Sequence, residues 1–546
     1  MIGTWSLVAC SLSAVGIVAP ACGPAPAELL TGPDASSEAE APSTCYLDEP
    51  TLPQDRPALD GACVDRAPRP ISPMPGAGVT TRRPLLRWAT PGDEAAPVQL
   101  QFCRDRACAS VIASIENPAD VATPPSELPP GVVFWRVQAG ACVGPTWWFS
   151  VPPRDAPVNT TWGGVLDVNG DGYADLVVTS VDARAFVYPG GRDGISPVPA
   201  TVVGESGCPP HRWVAAAAGD VDGDGYGDLV VGSLGVAAYL YRGGPDGLDR
   251  TPTFTISAPS DLPGFGRDVA GAGDVNGDGY ADFLVSSGGP IRGVVAAYLY
   301  YGGPTGPRLP PDEPWGGSWS FGNYAVAGAG DVNGDGYGDI IIGSLVGGHV
   351  RVYLGSPAGP RPEPVVDLFG SGTYYGFHVA SAGDVNGDGY ADVLVGAANL
   401  GSMGGRAFVY FGGADGTRET PFVLESDEWH FGFAAEGGDI DGDGYADPVV
   451  AASNSGNVYV FRGGPGARML ADAPDIRTTP GTFAWPLAVL GDVNGDGYSD
   501  IAAGGLSEDA AYVYYGGPAG LGTLPVVLDY EGAPWFGYSV GSGVGV

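Results

Sequence analysis

An acidic nine-residue motif, D-x-(N/D)-G-D-G-Y-x-D, recurs along most of this chain. Its seven copies begin at Asp167, Asp220, Asp274, Asp331, Asp384, Asp439 and Asp492. Successive copies lie 53 to 57 residues apart. A regular period of this length is typical of repeat architectures, in which one unit cannot bury all of its hydrophobic surface and neighbouring units must therefore stack. The motif constrains the fold more than any other feature of the sequence.

Each period contains four segments with the composition of β-strands. The motif is followed by an aliphatic run, such as LVV at 176–178, and then by an aromatic segment ending in a glycine turn, such as YPGG at 188–191. A further apolar run follows, such as PVVDLF at 364–369, and a strand led by Phe-Gly, such as FGRDVA at 265–270, enters the next motif. Four such strands form one propeller blade. The sequence therefore predicts an all-β, seven-bladed β-propeller over residues 157–546.

The two ends of the repeat region indicate how such a ring closes. The first copy is preceded only by a reduced strand at 158–166, whereas the chain finishes with an extra Phe-Gly segment, FGYSV, at 536–540. We expect this C-terminal strand to join the blade that begins near Asp167, because pairing there removes an exposed sheet edge. A partial eighth blade is the alternative.

The residues before the repeats predict an export signal and a tether. Residues 7–18 are mostly apolar and too short to span a bilayer, which is typical of a signal peptide. The A-P-A-C that ends at Cys22 fits either a cleavage site or a lipobox whose cysteine becomes lipidated. We expect a signal peptide over 1–22 and a tether, rich in Pro, Ala and acidic residues, over 23–66. The protein is then an outer-membrane or cell-surface lipoprotein attached through Cys22, or a secreted protein.

Residues 67–153 form a separate predicted domain. Strand-like runs occur at 85–88, 98–102, 132–137 and 147–151. Their spacing predicts a small β-sandwich before the propeller. The run LPPGVVFWRV at 128–137 resembles the late strand of fibronectin type III-like domains.

The cysteines beyond Cys22 support an extracellular location. They are Cys45, Cys63, Cys103, Cys108, Cys142 and Cys208. An even number in an exported chain fits three disulfides. Local spacing suggests that Cys45 pairs with Cys63 and that Cys103 pairs with Cys108, although spacing alone leaves other connectivities open.

The charge of the chain excludes some classes of partner. The formal net charge is −37, and all 25 basic residues are Arg. A chain without a basic patch cannot gain the counterion release that drives nucleic acid binding, and an anionic membrane surface is disfavoured for the same reason. The acidity serves either solubility or the binding of cations, and the position of the acids decides between the two.

The motif places hard oxygen ligands at the spacing that a calcium loop requires. Positions 1, 5 and 9 are Asp, position 3 is Asn or Asp, and the backbone carbonyl of Tyr at position 7 supplies a further oxygen. Ca²⁺ prefers such oxygen ligands, and Gly at positions 4 and 6 lets the chain curl around an ion. An isolated copy could be a simple Asx turn, but seven copies with all three acids favour calcium, about one ion per repeat and up to seven.

The predicted ligands are Asp167, Asn169, Asp171, Tyr173 and Asp175; Asp220, Asp222, Asp224, Tyr226 and Asp228; Asp274, Asn276, Asp278, Tyr280 and Asp282; Asp331, Asn333, Asp335, Tyr337 and Asp339; Asp384, Asn386, Asp388, Tyr390 and Asp392; Asp439, Asp441, Asp443, Tyr445 and Asp447; and Asp492, Asn494, Asp496, Tyr498 and Asp500. Paired acids outside these loops, such as Asp427-Glu428, are either solvated surface acids or the carboxyl pair of a glycosidase.

The whole unit, F-G-x-x-V-A-x-A-G-D-V-N-G-D-G-Y-A-D, stands at residues 265–282 and in looser form elsewhere. It resembles the FG-GAP repeat of integrin α-subunit propellers and their bacterial relatives. Copies one, two and seven depart mildly, with Trp162-Gly163, His211-Arg212-Trp213 and Phe483-Ala484 as leads. The resemblance implies structural Ca²⁺ on one face of the ring and partner binding on the other. On that face, loops at 288–292, 310–319 and 399–405 are candidate contacts, or variable connections without function.

No enzymatic site is predicted. The four histidines, His211, His349, His378 and His430, fall in different repeats, and the absence of Lys excludes a P-loop or Schiff-base site. The G-x-S-x-G match at 537–541 occupies the Phe-Gly strand, and no His follows it. We expect a monomeric adhesion or recognition module for an unknown protein or glycan; the alternatives are a polysaccharide-processing enzyme and a structural spacer.

Overall fold

The computed structural model describes residues 63, 67–90, 97–162, 164–204, 213–259, 264–287, 296–308, 324–344, 348–369, 374–398, 404–453, 455–467, 475–478, 486–505 and 507–541. These residues form β-strands and connecting turns, with one short 3-10 turn at Pro465–Ala467. No helix in this part of the chain is long and apolar enough to cross a membrane. The predicted export signal, Cys45, Cys208, His211, and the predicted contact loops except Gly404 and Gly405 lie outside the described residues.

Among the described residues, ten strands precede the first motif: β1 (Arg69–Ser72), β2 (Ala77–Val79), β3 (Leu86–Ala89), β4 (Val98–Cys103), β5 (Val111–Glu116), β6 (Val121–Ala122), β7 (Gly131–Ala139), β8 (Cys142–Val143), β9 (Trp147–Val151) and β10 (Thr161–Trp162). Strands β1, β3 and β6 form one sheet; β10-β2-β9-β7-β4-β5, with β8 beside β7, form a second. Trp88, Trp135, Trp147, Phe102 and Phe149 are buried in the core that these strands share. All four runs predicted as strands in this segment are strands.

Two disulfides join the N-terminal strands, Cys63 to Cys142 and Cys103 to Cys108. The second was predicted from spacing and is confirmed, whereas the predicted pairing of Cys45 with Cys63 is wrong. The chain before β1 runs beside β8, so closely that a Cβ on Gly144 would lie 2.0 Å from the carbonyl oxygen of Pro68. This placement brings the Cα atoms of Cys63 and Cys142 to 5.3 Å across a sequence separation of 79 residues.

The repeat region supplies the remaining strands: β11 (Leu176–Ser180), β12 (Arg184–Tyr188), β13 (Thr201–Gly204), β14 (Trp213–Gly219), β15 (Asp228–Ser233), β16 (Ala237–Tyr241), β17 (Phe254–Ser257), β18 (Phe265–Gly273), β19 (Asp282–Ser287), β20 (Ala296–Tyr300), β21 (Tyr324–Gly330), β22 (Asp339–Ser344), β23 (His349–Tyr353), β24 (Val366–Phe369), β25 (Tyr375–Gly383), β26 (Asp392–Ala398), β27 (Gly405–Tyr410), β28 (Phe422–Ser426), β29 (Phe431–Gly438), β30 (Asp447–Ala452), β31 (Asn457–Val460), β32 (Asp475–Thr478), β33 (Leu487–Gly491), β34 (Asp500–Gly505), β35 (Ala510–Tyr514), β36 (Val526–Asp529) and β37 (Val540–Gly541).

These strands form antiparallel sheets, which we number 1 to 7 after the motif copies: sheet 1 (β13-β12-β11-β37), sheet 2 (β14 to β17), sheet 3 (β18 to β20), sheet 4 (β21 to β24), sheet 5 (β25 to β28), sheet 6 (β29 to β32) and sheet 7 (β33 to β36). In sheets 2 to 7 the motif connects the first strand to the second. The motif therefore lies at the same end of each of these sheets.

Aliphatic and aromatic side chains fill the space between each sheet and the next. Because strand side chains alternate between faces, Leu176 and Val178 pack toward sheet 7, while Val177 packs toward sheet 2. Equivalent clusters occupy the junctions between sheets 2 and 3 and onward to sheets 6 and 7. Sheets that pack face to face in succession, with the last one against the first, make the architecture a β-propeller.

The C-terminal segment completes sheet 1, as the sequence predicted. Val540 pairs with Val178, and the Tyr538 backbone N–H donates to the Thr179 carbonyl at 3.1 Å. The described residues show no separate eighth sheet. The reduced strand at 158–166 was predicted to lead into the first repeat sheet, and this prediction is wrong. Its only described strand, β10, pairs with β2 and extends the N-terminal sheet. Ser539 of the G-x-S-x-G match is buried next to this pairing, although the strand itself begins only at Val540 and most of the predicted strand at 536–540 is a turn.

Candidate metal sites

The first Asp of each motif organises the loop that follows it. In the first copy, Asp167 Oδ1 accepts the backbone N–H of Gly170 at 2.7 Å, and Oδ2 accepts that of Gly172 at 3.0 Å. Both glycines have positive φ, 68° and 90°, which only Gly adopts without strain. The bond from position 6 to position 1 recurs in every copy. The loop is therefore curled in the same way seven times.

The last Asp of the motif anchors the loop to the rest of its sheet. Asp175 accepts the backbone N–H of Val168 at 2.8 Å and that of Gly190, in the glycine turn after the third strand, at 2.9 Å. The same pair of bonds occurs in the other six copies. From the sequence, this Asp was assigned only to metal binding, and its bond to the glycine turn was missed. The glycine follows this Asp by 15 to 20 residues in every copy, and that recurring spacing could have revealed the bond.

The middle positions complete the oxygen cluster. Asp at position 5 accepts the backbone N–H of Tyr at position 7 in every copy, for example from Tyr173 to Asp171 at 3.0 Å. In the second copy, one oxygen each from Asp220, Asp222 and Asp224 lies within 4.8 Å of the others. Asp439, Asp441 and Asp447 form the same kind of cluster in the sixth copy. In these two copies, the structure thus brings three of the predicted acids together.

Neighbouring loops are joined to one another. The N–H at position 8 donates to the position 1 carbonyl of the preceding motif; between sheets 2 and 1, Gly227 donates to Asp167 at 2.8 Å. Between sheets 1 and 7, Ala174 donates to Asp492 at 3.0 Å. Tyr at position 7 packs on the position 4 glycine of the preceding loop, so that a Cβ on Gly495 would lie 2.6 Å from the Tyr173 ring. Metal binding in one loop would therefore act directly on a junction between sheets.

The loop acids are buried without enough positive charge around them. Burial, followed by the neighbouring Asp171, raises the pKa of Asp167 to about 7. Burial likewise raises the pKa of Asp331 to about 6 and that of Asp500 to about 8. The pKa of Asp175 is well above its ordinary value because that carboxyl is buried beside Asp167. A cation among these carboxylates would reverse the shifts by favouring the charged form.

The side chains that meet the acids differ between copies. In copies one, three, four and seven, the Asn at position 3 donates its side-chain amide to the Asp at position 5, for example Asn169 to Asp171 at 3.0 Å. In copies two and six, position 3 is Asp and forms an ion pair with an arginine from the glycine turn. These pairs are Asp222 with Arg242 and Asp441 with Arg462.

The N-terminal strands and the segment that follows them cover the loops. Arg69 donates to the carbonyl oxygen of Gly279 at 2.9 Å and lies over the Tyr280 ring. Two further arginines stack on position 7 tyrosines of other loops, Arg106 on Tyr226 and Arg154 on Tyr445. Thr160 donates to the carbonyl oxygen of Gly389 at 2.5 Å. We call this covered side of the sheets, which carries the seven motifs, the loop face.

A cavity of about 580 Å³ remains between the N-terminal strands and the loop face. Phe134, Trp148 and Arg154 line it from the N-terminal side, and Asp384 and Asp492 from the loops. It borders the oxygen clusters described above and is part of the same region.

Comparison with known proteins agrees with this geometry. Mouse integrin alpha-IIb is 32% identical over 211 residues, which is 34% of this chain and 20% of that protein. Chicken integrin alpha-V is 30% identical over 244 residues, 39% of this chain and 23% of that protein. The chain therefore spans less than a quarter of the length of these relatives. A solved protein of unknown function from Desulfotomaculum acetoxidans is 11% identical, and the alignment covers 65% of this chain and 99% of that one. Its TM-score is 0.41, and we draw no conclusion from this similarity.

The FG-GAP-like repeat matches residues 167–231, 274–342, 331–395, 384–450 and 439–503. These segments contain all seven motifs whole. Because the matched segments cover more than half of the sequence, the chain belongs to the FG-GAP-like repeat family.

Proposed function

We propose that this protein is an exported recognition module whose seven motif loops each bind structural Ca²⁺. The observation that carries the proposal is the set of loops that gather buried carboxylates at the junctions between sheets. The side chains at positions 1, 3, 5 and 9 each offer an oxygen atom to a cation, and the backbone carbonyl at position 7 can offer a further oxygen. This donor set suits a hard divalent ion.

Calcium would stabilise the fold in proportion to the number of loops that it fills. At a free concentration of about ten times Kd, each ion contributes roughly 1.4 kcal/mol to the free energy of unfolding. Seven ions would then contribute about 10 kcal/mol, which is comparable to the total stability of an ordinary domain. We therefore assign the ions a structural role.

A closed ring of seven blades is part of the proposal. The hydrogen bond from Ala174 to Asp492 and the pairing of Val540 with Val178 support it, because both join sheet 1 to the C-terminal end of the chain. The N-terminal strands are proposed to be a fibronectin type III-like β-sandwich. An extracellular or cell-surface location is consistent with the integrin relatives and with two disulfides, and lipidation of Cys22 would provide the anchor.

The face opposite the loop face is proposed to bind the partner. In the described part of the chain, the N-terminal strands and the segment after them contact the loop face through Arg69, Arg106 and Arg154, and we assign partner binding to the other face. Trp429, shortly before β29, and Trp535, in the turn that precedes β37, are both about half exposed at the ends of the sheets opposite the motifs. Exposed aromatic rings of this kind stack on sugars or anchor protein partners. Sequence reasoning missed these residues because it looked for long loops.

The calcium assignment is tested by removing ligands from one loop. Isothermal titration of D384N/D388N with Ca²⁺ should show one ion fewer per chain than the unmodified protein. The matched control is D427N, which removes an exposed acid outside the loops. Equal stoichiometry in all three proteins would contradict the assignment.

The recognition role is tested on a glycan array and in pull-downs from native envelope material. W429A/W535A should lose binding while its unfolding temperature is unchanged, and R361A, at an exposed turn, should retain it. An activity screen on the same glycans identifies a polysaccharide-processing enzyme if turnover occurs. Retention of no partner by the unmodified protein would instead support a structural spacer.

A further inference from the structure

In two of the seven loops, an arginine from the glycine turn pairs with the Asp at position 3. In the loop of sheet 5, the more exposed Arg418 lies 3.9 Å from the position 5 acid, Asp388. The residue before the glycine turn of each sheet is Pro189, Arg242, Tyr301, Leu354, Phe411, Arg462 or Tyr515. The two arginines occur in sheets 2 and 6, which are also the two whose motif has Asp at position 3. An extra acid in the loop is thus accompanied in both sheets by an arginine two strands later.

The structure joins these paired residues. The Arg242 guanidinium contacts Asp222 Oδ2 through Nε, and the two side chains are only 11% and 1% exposed. The Arg462 guanidinium contacts Asp441 Oδ2 through Nη1, with the side chains 35% and 8% exposed. Both ion pairs are therefore largely shielded from solvent, and the pair in sheet 2 more so.

The ion pairs lie inside the oxygen clusters. Asp222 belongs to the cluster of Asp220 and Asp224, and Asp441 to that of Asp439 and Asp447. Each guanidinium therefore contacts, through Oδ2, a carboxylate of the set that a metal ion would use. Because arginine keeps its charge at every physiological pH, a change of pH does not release that oxygen.

The charge of the loop is balanced differently in the two classes. A loop with Asn at position 3 contains three acids, whereas the loops of sheets 2 and 6 contain four acids and one guanidinium. The net charge is the same, yet a divalent ion entering the second class meets a fixed positive charge within contact distance of a ligand. Like charges at such a separation repel, most strongly where the side chains are buried.

We propose that Arg242 and Arg462 make the loops of sheets 2 and 6 the weak calcium sites of the protein. This inference rests on the proposed binding of calcium by the motif loops. The guanidinium holds each loop closed when no metal is bound and must yield Asp222 or Asp441 before a metal binds with full coordination. The loop of sheet 2 is the weaker because Arg242 is the more deeply buried.

The test is a calcium titration of the full-length protein by calorimetry and by native mass spectrometry. The unmodified protein should show five tight sites and two sites weaker by tenfold or more. In R242Q/R462Q the two weak sites should tighten at least tenfold. The control R351Q removes an arginine that pairs with Asp367 away from the loops, and it should leave all affinities unchanged.

A reciprocal variant keeps the test informative if R242Q/R462Q does not fold. N386D/F411R introduces the same Asp–Arg pair into the loop of sheet 5, and it should convert one tight site into a weak one. Seven equivalent sites in the unmodified protein, or weaker binding in R242Q/R462Q, would overturn the inference; the second result would mean that the arginines position their acids as ligands. Absence of calcium binding in every protein would instead refute the proposed function.

Discussion

The N-terminal strands and the repeat sheets of this chain are held together by different chemistry. The described N-terminal strands contain two disulfides and a core in which three Trp and two Phe side chains pack among Val and Leu. The described repeat sheets contain no disulfide, and between them lie mostly Ala, Val and Leu, with buried acid clusters at one end. Large aromatic side chains and covalent bonds stabilise a small domain directly. The repeat sheets, by contrast, bury clusters of carboxyls whose pKa values are raised by burial.

Because of this difference, we expect the two regions to respond to different treatments. A chelator removes metal ions but leaves disulfides intact, while a reductant does the reverse. Arg69, Arg106 and Arg154 contact the loops, and these contacts then determine how far unfolding of one region lowers the stability of the other.

Chelation should produce the largest effect. With excess EGTA, the unfolding temperature of the repeat sheets should fall by at least about 10 °C, because about 10 kcal/mol of binding free energy is lost. Differential scanning calorimetry measures the shift, with Mg²⁺ and Ca²⁺ added back as controls. A fall that Ca²⁺ does not reverse, or no fall at all, would contradict the role assigned to the loops.

Removal of the long disulfide should have the next largest effect, and in the other region. C63S/C142S opens a loop of 79 residues, which costs about 4.5 kcal/mol in the chain-entropy description, compared with about 2 kcal/mol for the five-residue loop of C103S/C108S. Denaturant unfolding followed by the fluorescence of the N-terminal tryptophans measures both. Equal losses in the two variants would show that loop entropy does not control this region.

The pH dependence of the metal-free protein should be opposite to that of ordinary acid denaturation. Burial raises the pKa of Asp331 to about 6, of Asp167 to about 7 and of Asp500 to about 8. Carboxyls with raised pKa values stabilise the fold at low pH and lose that contribution as the pH rises through 6 to 8. In EGTA the unfolding temperature should therefore fall between pH 5 and pH 8.

With Ca²⁺ present the trend should reverse, because the metal binds the ionised carboxylates. The increase in unfolding temperature caused by Ca²⁺ should grow from pH 5 to pH 8. If the unfolding temperature of the metal-free protein rose from pH 5 to pH 8, the pKa values of the loop acids would not be raised in the folded protein, and this prediction would be contradicted.

The smallest expected effect concerns the contact between the two regions. R154A removes the guanidinium that lies 3.3 Å from the centre of the Tyr445 ring, an interaction worth about 1 kcal/mol. The N-terminal strands should become more sensitive to limited proteolysis, with little change in the repeat sheets. R136A, whose arginine bonds Gln101 within the N-terminal sheet, is the control and should not change the cleavage of the segment around Arg154.

The repeat sheets could be predicted from the sequence because their information is local and repeated. The motif spacing located the strands and the loops, and the extra FGYSV at 536–540 located the pairing of Val540 with Val178. Each of these features depends on contacts within about one period or on the symmetry of the ring. The bonds of the position 9 Asp to the glycine turn were equally local, but a pattern read only for metal ligands did not reveal them.

The N-terminal region was less predictable because its contacts join distant segments. The pairing of Cys63 with Cys142 depends on the course of the chain beside β8, and spacing favoured a nearer partner for Cys63. Likewise, β10 joins β2 instead of the first repeat sheet, and nothing in residues 158–166 distinguishes the two possibilities. The stacking of Arg69 and Arg106 on loop tyrosines depends on the docking of one region on the other, which sequence patterns do not encode.

The most direct test of the account is the metal content of the purified protein. Full-length protein is dialysed against buffer with micromolar free Ca²⁺ and analysed by inductively coupled plasma mass spectrometry together with native mass spectrometry. If the motif loops bind Ca²⁺, we expect about five to seven calcium ions per chain and at least one ion fewer in D384N/D388N. A chain that retains no calcium and yet shows the same unfolding temperature in EGTA as in Ca²⁺ would contradict it.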